Sequence, residues 1–412
     1  MFQTCLLTFA VYLGSAIYTA GLPGVTSEFH VSNVAALVGL TVFVAGYGLC
    51  PMMWAPLSEV PQIGRMPIYI FTLAMFVVLQ VPTALATNYG MLMAFRFLTG
   101  FFGSPILATG AYAMTIWGLF ATCAPSLGPL VGGFAAHVEG WRWTIWEILW
   151  LSGPTLVLLF FFFPETSASN ILYRRAKRLR KVTGNPSIKS ASEIAAATMT
   201  PRDVAVDILV RPFALNFQEP IVLVLNVYIG LIYALLYIWF ESFLIVFVGI
   251  YHWREQMLGL SFLGIFVGVF MVILPFFAYL YFVQEPKYNE KGELKPEERM
   301  PIAIVGALIV PICLLWFGWA SRASVHWIVP IIGSSLFGMA ALLLFNAVLN
   351  HLADAYPTYA ASVLAGNDFI RSMFGAAFPL FAGAMYRNLG VGWASTLLAL
   401  LACAFIPISI LL

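Results

Sequence analysis

Ala124-Pro125-Ser126-Leu127-Gly128-Pro129-Leu130-Val131-Gly132-Gly133 lies inside an apolar run over 111–136. A helix of about twenty apolar residues crosses the ~30 Å hydrocarbon core of a bilayer, so this run reads as a membrane span. Gly128 and Gly132, four apart, open a groove that lets a neighbouring helix approach closely, and Pro129 removes one backbone hydrogen bond and bends the span. On the N-terminal side, comparable runs lie near 3–22, 33–56, 67–86 and 89–109, and one more follows near 144–163. Beyond a polar stretch, six further runs lie near 220–248, 257–283, 301–320, 325–350, 358–386 and 392–412. The predicted fold is an all-α integral membrane protein with twelve transmembrane helices. It divides into an N-terminal six-helix bundle over 1–164, a cytoplasmic linker over 165–218 and a C-terminal six-helix bundle over 219–412.

Composition points the same way. Of 412 residues, 9% are charged and 61% apolar, and mean hydropathy is +0.92, where a soluble chain carries roughly a quarter charged residues. The first run is followed by eleven others and is therefore a true span rather than a signal peptide. Between Tyr89 and Ala136 the chain is almost continuously apolar. One straight helix of that length would reach roughly 70 Å, so the chain must turn near Gly110.

Whole function classes drop out. Net charge is +2 and the basic residues are scattered, which leaves no footprint for nucleic acid. The five cysteines lie singly in apolar runs, with no CxxC pair and no histidine at ligand spacing, so no metal site is expected. No nucleotide-binding loop is visible, and no His, Asp or Ser cluster suggests catalysis; a non-enzymatic protein without cofactor is expected.

Orientation follows from Lys and Arg in alternate loops. With both termini cytoplasmic, Arg65, nine residues of the linker and four of the 284–300 loop total fourteen on one side. Arg142, Arg254, Arg322 and Arg387 make four on the other. The basic segment Tyr173–Lys181 follows the sixth run directly and suits anionic headgroups at ~1 kcal/mol per charge. From Ser187 to Thr200 the chain reads as a small-residue linker in which 188–197 can form a short surface helix.

Three motifs carry more specific information. The loop after the second run, Ala55-Pro56-Leu57-Ser58-Glu59-Val60-Pro61-Gln62-Ile63-Gly64-Arg65, places a carboxylate and a guanidinium at the membrane edge, where they can bond in one gate state and part in another. In the fourth run, Arg96, Gly100 and Gly103 share one helical face. A membrane-embedded Arg costs ~2.5 to 3.5 kcal/mol on insertion scales and faces the bundle interior, either as a functional group or as a cap on backbone carbonyls. A further glycine pair, Gly264 and Gly268, makes a possible groove on the eighth run for the one at Gly128 and Gly132.

These motifs resemble those of the major facilitator superfamily. Pro164-Glu-Thr-Ser167, the run Gly140-Trp-Arg-Trp-Thr-Ile-Trp146, Tyr237–Phe243 and Ala365–Phe381 resemble the fungal drug:proton antiporters with twelve spans. Ala55 and Met66 depart from the superfamily's loop signature. The resemblance implies two six-helix bundles related by pseudo-two-fold symmetry, a gating latch at Glu59 and Arg65, an antiporter motif at Gly128, Pro129, Gly132 and Gly133, and a role for Arg96 in proton coupling. It also implies a monomer in the fungal plasma membrane, exchanging protons for hydrophobic or amphipathic drugs under the proton gradient. The alternative is a dedicated exporter of a polyamine, an organic acid or a fungal toxin; a polyamine would demand more cavity acids than the runs contain.

Proton coupling needs a titratable group inside the membrane. Glu147, Glu241, Asp354 and Asp368 are the acids in or near the runs. Glu241, set among aromatic residues, is the leading candidate; the competing reading is a carboxylate near the extracellular end bonded to backbone or to Arg254. Asp368 and Arg371, three apart, are expected to pair. Tyr18, Phe101, Trp117, Tyr233, Tyr237, Phe345, Asn346 and Phe378 lie near midplane depth and are the expected cavity wall.

Overall fold

The computed structural model describes residues 2–103, 111–197, 210–290 and 294–411, and every regular element among them is helical. Ten helices among the described residues are long and apolar enough to cross a bilayer. Spans 1 to 3 are Phe2–Phe29, Asn33–Ser58 and Arg65–Ala84; the shorter Tyr89–Phe102 is span 4; Met114–Glu139 and Trp141–Phe162 are spans 5 and 6. Spans 7 to 10 are Pro220–Ile250, Leu258–Lys287, Pro296–Ala320 and Ile328–Ala355. The last run, Ala360–Ile410, contains Gly390 at φ 76, a left-handed conformation that breaks it into span 11 (360–389) and span 12 (391–410).

Local chemistry sets the ends. Ser32 accepts from Ala35 N at 3.2 Å and Asn88 from Met91 N at 2.8 Å, side-chain caps that open spans 2 and 4. Gly64 and Gly140, at φ 81 and 86, make the reversals before spans 3 and 6. The described part of span 4 ends before Gly103 and the next helix begins at Ala111, so the turn expected near Gly110 falls largely outside the described residues. Leu274, Phe282 and Phe160 point outward, as side chains in contact with lipid do.

Most of the described residues of the central stretch are helical. Ala168–Thr183 carries the basic residues, with Ser167 accepting from Asn170 N and Gly184 closing it in the left-handed region. Residues 188–197 include the helix Ala191–Ala197. Ser190 and Glu193 cap it reciprocally: Ser190 N donates to Glu193 Oε2 at 2.9 Å and Glu193 N to Ser190 Oγ at 3.3 Å. Arg180 reaches Glu193 at 2.7 Å and holds its carboxyl below the usual range. A further helix, Arg211–Gln218, docks on span 11, with Phe213 edge-on to Phe369.

The spans before and after this stretch meet along several lines. Thr41 Oγ1 of span 2 donates to Ala376 O of span 11 at 3.0 Å, and Ser15 of span 1 shares a 2.8 Å hydrogen bond with Tyr237 of span 7. Span 5 meets the start of span 8 where Gly259 lies against the Pro129 and Leu130 backbone. The partners expected for the glycine grooves differ from those found. Gly128 and Gly132 receive Ala16, Ile17 and Ala20 of span 1, while Gly264 and Gly268 receive Ile331, Ser334 and Ser335 of span 10. Glycine spacing fixes how closely a helix can approach and leaves its identity open.

Candidate functional site

Side chains of spans 1, 5, 7, 10 and 11 line an aromatic cavity of about 20 Å³, room for a water-sized group. Trp117, Gly118, Ala121 and Thr122 line it from span 5; Ile232, Tyr233 and Leu236 from span 7; Phe337, Ala341 and Phe345 from span 10. Tyr12 of span 1 and Arg371 of span 11 complete the wall. Of these, Trp117, Tyr233 and Phe345 were expected from the sequence. The others follow the same faces: Trp117, Gly118, Ala121 and Thr122 are spaced i, i+1, i+4, i+5, and Phe337, Ala341 and Phe345 are spaced i, i+4, i+8.

Arg371 is the charged group of this wall. It pairs with Asp368 one turn back; both side chains are buried, Nε donates to Asp368 Oδ1 at 2.9 Å, and Nη2 contacts the same oxygen. Nη2 also donates to the Tyr12 hydroxyl at 2.7 Å, and Tyr47 donates to Asp368 Oδ1 at 3.3 Å. Span 1 is thereby tied to span 11 through the Arg371 guanidinium, and span 2 through one carboxylate oxygen. The other, Oδ2, is buried without a hydrogen-bond partner among the described residues.

The remaining predicted residues are distributed elsewhere. Tyr237 is buried behind Tyr233, its hydroxyl 3.3 Å from that of Tyr233 and bonded to Ser15. Asn346 lies beneath the cavity, its Nδ2 donating to Leu342 O at 3.0 Å and facing Gly118. Tyr18 belongs to another site: its hydroxyl donates to Ala36 O at 3.0 Å and its ring lies 4.4 Å from the Arg96 guanidinium. Phe101 stacks on Phe97 within the first six spans, and Phe378 stacks on Phe374 along span 11; neither lines the cavity.

Arg96 is fully buried and donates to two backbone carbonyls, Gly39 O and Gly14 O, each at 3.2 Å. Phe43 covers its other face at 4.3 Å. These two bonds tie spans 1, 2 and 4 together, and Arg96 Nη2 is buried without a hydrogen-bond partner among the described residues. Glu241 also lies away from the cavity. A β-carbon at Gly383 would be 3.2 Å from Glu241 Oε2 and 3.5 Å from both Arg387 Nη atoms, so the two side chains converge on span 11. Arg387, 146 positions along the chain from Glu241, takes the place expected for Arg254.

At the loop between spans 2 and 3, the Glu59 side chain lies outside the described residues. Arg65 starts span 3, and its backbone N–H is met by the carboxylate of Glu165, which sequence reading passed over. Glu165 Oε1 accepts from Arg65 N at 3.1 Å, Thr166 N at 3.0 Å and Ser167 N at 2.9 Å, while Oε2 accepts from Met66 N at 3.3 Å. Asn170 Nδ2 donates to Pro61 O at 2.7 Å, fastening the same loop. The signal was present in Pro164-Glu-Thr-Ser167, but its partner lies a hundred residues earlier. On the opposite face, Arg142 joins Glu28 at 2.6 Å and donates to Ala84 O and Ala86 O, which explains the Gly140-Trp-Arg segment. In the antiporter motif, Gly128 and Gly132 seat span 1, while Pro129 and Gly133 face the start of span 8 through Gly259 and Gln256.

The chain matches the Major Facilitator Superfamily over residues 4–379. It is 46% identical to Transporter mfs1 of Schizosaccharomyces pombe, over all of this chain and 81% of that one. It is 37% identical to the Cycloheximide resistance protein of Candida maltosa, over 99% of this chain and 78% of that one. The fold is similar to the crystal structure of the human organic anion transporter MFSD10 (TETRAN), with a TM-score of 0.64 at 17% identity, covering 99% of this chain and 96% of that one. A multi-pass helical chain with this cavity and these matches belongs to the major facilitator superfamily of membrane transporters, with fungal drug-resistance proteins among its relatives.

Proposed function

We propose that the protein exports hydrophobic or amphipathic small molecules in exchange for protons, by rocking of the bundles 1–164 and 219–412 about the aromatic cavity. The observation that carries this reading is the bond from Arg371 in the cavity wall to Asp368 behind it, with one carboxylate oxygen saturated by donors and the other unpartnered among the described residues. A proton arriving at Oδ2 cancels the charge that holds Arg371 against span 11. The guanidinium then loses its aim into the cavity, and a drug bound against it loses that contact. Proton and drug therefore compete for one site, which is the condition for exchange.

Of the acids expected to couple, Asp368 is bonded to the cavity-lining Arg371, and Glu241 converges with Arg387 outside the cavity. Arg96 acts through packing. The carbonyl-rich surroundings of Arg96 and the glycine contacts of span 5 support rigid bundles rather than bending helices. The proton gradient is the energy source and no cofactor is required. In this proposal the protein works as a monomer in the fungal plasma membrane with both termini cytoplasmic, and the distribution of Lys and Arg supports that orientation.

Reconstitution into proteoliposomes tests the exchange. With the lumen acidified, uptake of a neutral antifungal should collapse when the gradient is dissipated, and Asp368→Asn should leave only gradient-independent flux. Glu241→Gln should retain most of the gradient response. Gradient-independent uptake by the unaltered protein would rule out exchange.

A further inference from the structure

The Arg371 guanidinium lies 5.4 Å from the ring centre of Tyr233, 5.7 Å from Phe345 and 5.9 Å from Trp117. Rings at this distance attract a cation through their quadrupoles, and convergent aromatic rings are the usual device for holding an organic ammonium ligand. Here three rings, from spans 5, 7 and 10, already surround a cation that belongs to the chain. A positively charged drug entering the cavity would have to share those faces with Arg371 and would meet a like charge at close range in a poorly screened site.

The carboxylates offer no compensation. Asp368 does not line the cavity: its Oδ1 is engaged by Arg371 and Tyr47, so the buried pair presents its positive end to the cavity. Glu241 converges with Arg387 elsewhere, and no carboxylate lines the cavity among the described residues. The polar groups that do line it are chiefly donors. Arg371 is one, and the Tyr12 hydroxyl, which accepts from Arg371, keeps its own proton to donate. Thr122 spends its hydroxyl on Gly118 O at 2.8 Å and Trp117 spends its Nε1 on Thr8 at 3.0 Å, so neither competes for a ligand's acceptor. The Tyr233 hydroxyl shares a 3.3 Å hydrogen bond with that of Tyr237, and the rest of the wall is apolar.

We propose that the cavity selects uncharged aromatic molecules that carry a hydrogen-bond acceptor, and rejects permanent organic cations, because Arg371 already occupies the aromatic cage. The inference rests on the reading of this cavity as the drug site. Removal of the Arg371 charge empties the cage and leaves Asp368 beside it, so it should convert a site that rejects cations into one that takes them.

Equilibrium binding tests this without any gradient. The full chain in lipid nanodiscs is titrated with 4-phenylpyridine, which is neutral with one acceptor nitrogen, and with N-methyl-4-phenylpyridinium, of the same shape with a fixed charge. Quenching of tryptophan fluorescence is the readout, with Trp117→Phe removing the signal from the cavity. The neutral probe should bind about tenfold more tightly or better, the ratio that a lost charge-assisted contact gives. Arg371→Gln should tighten the cation by about tenfold or more and weaken the neutral probe, a reversal that mere loss of fold cannot produce. Arg371→Lys, which keeps the charge, should keep the rejection. Equal affinity of the two probes for the unaltered protein, or an unchanged ratio in Arg371→Gln, overturns the inference. Absence of binding by both probes overturns the cavity reading together with it, whereas gradient-independent flux with the preference intact removes only the exchange mechanism.

Discussion

Breaking the Asp368–Arg371 pair from either side, and then from both, gives a quantitative prediction. Both side chains are almost wholly buried, at 2% and 3% exposure, so neither charge has water to fall back on. Removing one partner of a buried pair costs about 3–5 kcal/mol, because the other charge stays buried and uncompensated. Asp368→Asn keeps an acceptor for Arg371 and Tyr47, so its cost should lie near the lower end, about 3 kcal/mol. Arg371→Gln also strips Tyr12 of a donor and should cost a similar amount. The double variant leaves no buried charge and can retain an amide-to-amide hydrogen bond, so it should cost clearly less than the sum, with a coupling of about 2–3 kcal/mol. Denaturant unfolding in mixed micelles, followed by tryptophan fluorescence for all four proteins, measures the cycle. Effects that add to within about 0.5 kcal/mol would refute the pairing.

Glu165→Ala should lower stability by about 2 kcal/mol, the upper end for a lost helix cap, because four backbone N–H groups lose their acceptor; Glu165→Gln keeps Oε1 and should lose less than half of that in the same measurement. Gly259→Val places a branched side chain against the Pro129 and Leu130 backbone, so spin labels at His137→Cys and Trp327→Cys should move apart and transport should fall; an unchanged label distance contradicts the close approach. The Arg180–Glu193 contact should depend on pH with a definite sign. Since Arg180 depresses the Glu193 carboxyl, the contact is complete above the unfolded value of about 4.3 and is lost as pH falls through the lower folded value, which limited proteolysis between Gly184 and Ser190 as a function of pH will follow.

The positions of most spans could be read from the sequence because burial in lipid is a one-dimensional property and apolar length reports it, whereas the turn glycines at 64, 140 and 390 emerged from the structure. Local pairs could be read too. Asp368 and Arg371 are three apart on one helix, and spacing alone brings them together. Azimuth and long-range partners could not. Tyr12 and Tyr18 are both midplane tyrosines of span 1, yet one faces the cavity and the other lies against Arg96, and helix rotation, which hydropathy does not encode, decides between them. Glu241 found Arg387 rather than Arg254, and Glu165 found the start of span 3, because distance along the chain says nothing about which loops share a membrane face.

The polar contacts divide in a way that bears on how the molecule can move. Glu28 with Arg142, Glu165 with the 64–66 turn, and Arg299 with Asp354 at 2.9 Å each join spans on the same side of the central stretch. Charge-assisted bonds of this kind are the stronger class and make each group of spans resist internal shear. Across the two groups the contacts are of another kind: a hydroxyl pair at Ser15 and Tyr237, a hydroxyl to carbonyl bond at Thr41, and backbone against glycine at Gly259. A neutral hydrogen bond is worth about 1 kcal/mol net, so these can open and re-form in a rocking motion at small cost. Arg371 and Asp368 are where charged groups reach across, to Tyr12 and Tyr47. On the proposed exchange mechanism, a strong bond at the centre of an otherwise weak interface would set the barrier to rocking, and a single proton on Asp368 would lower it.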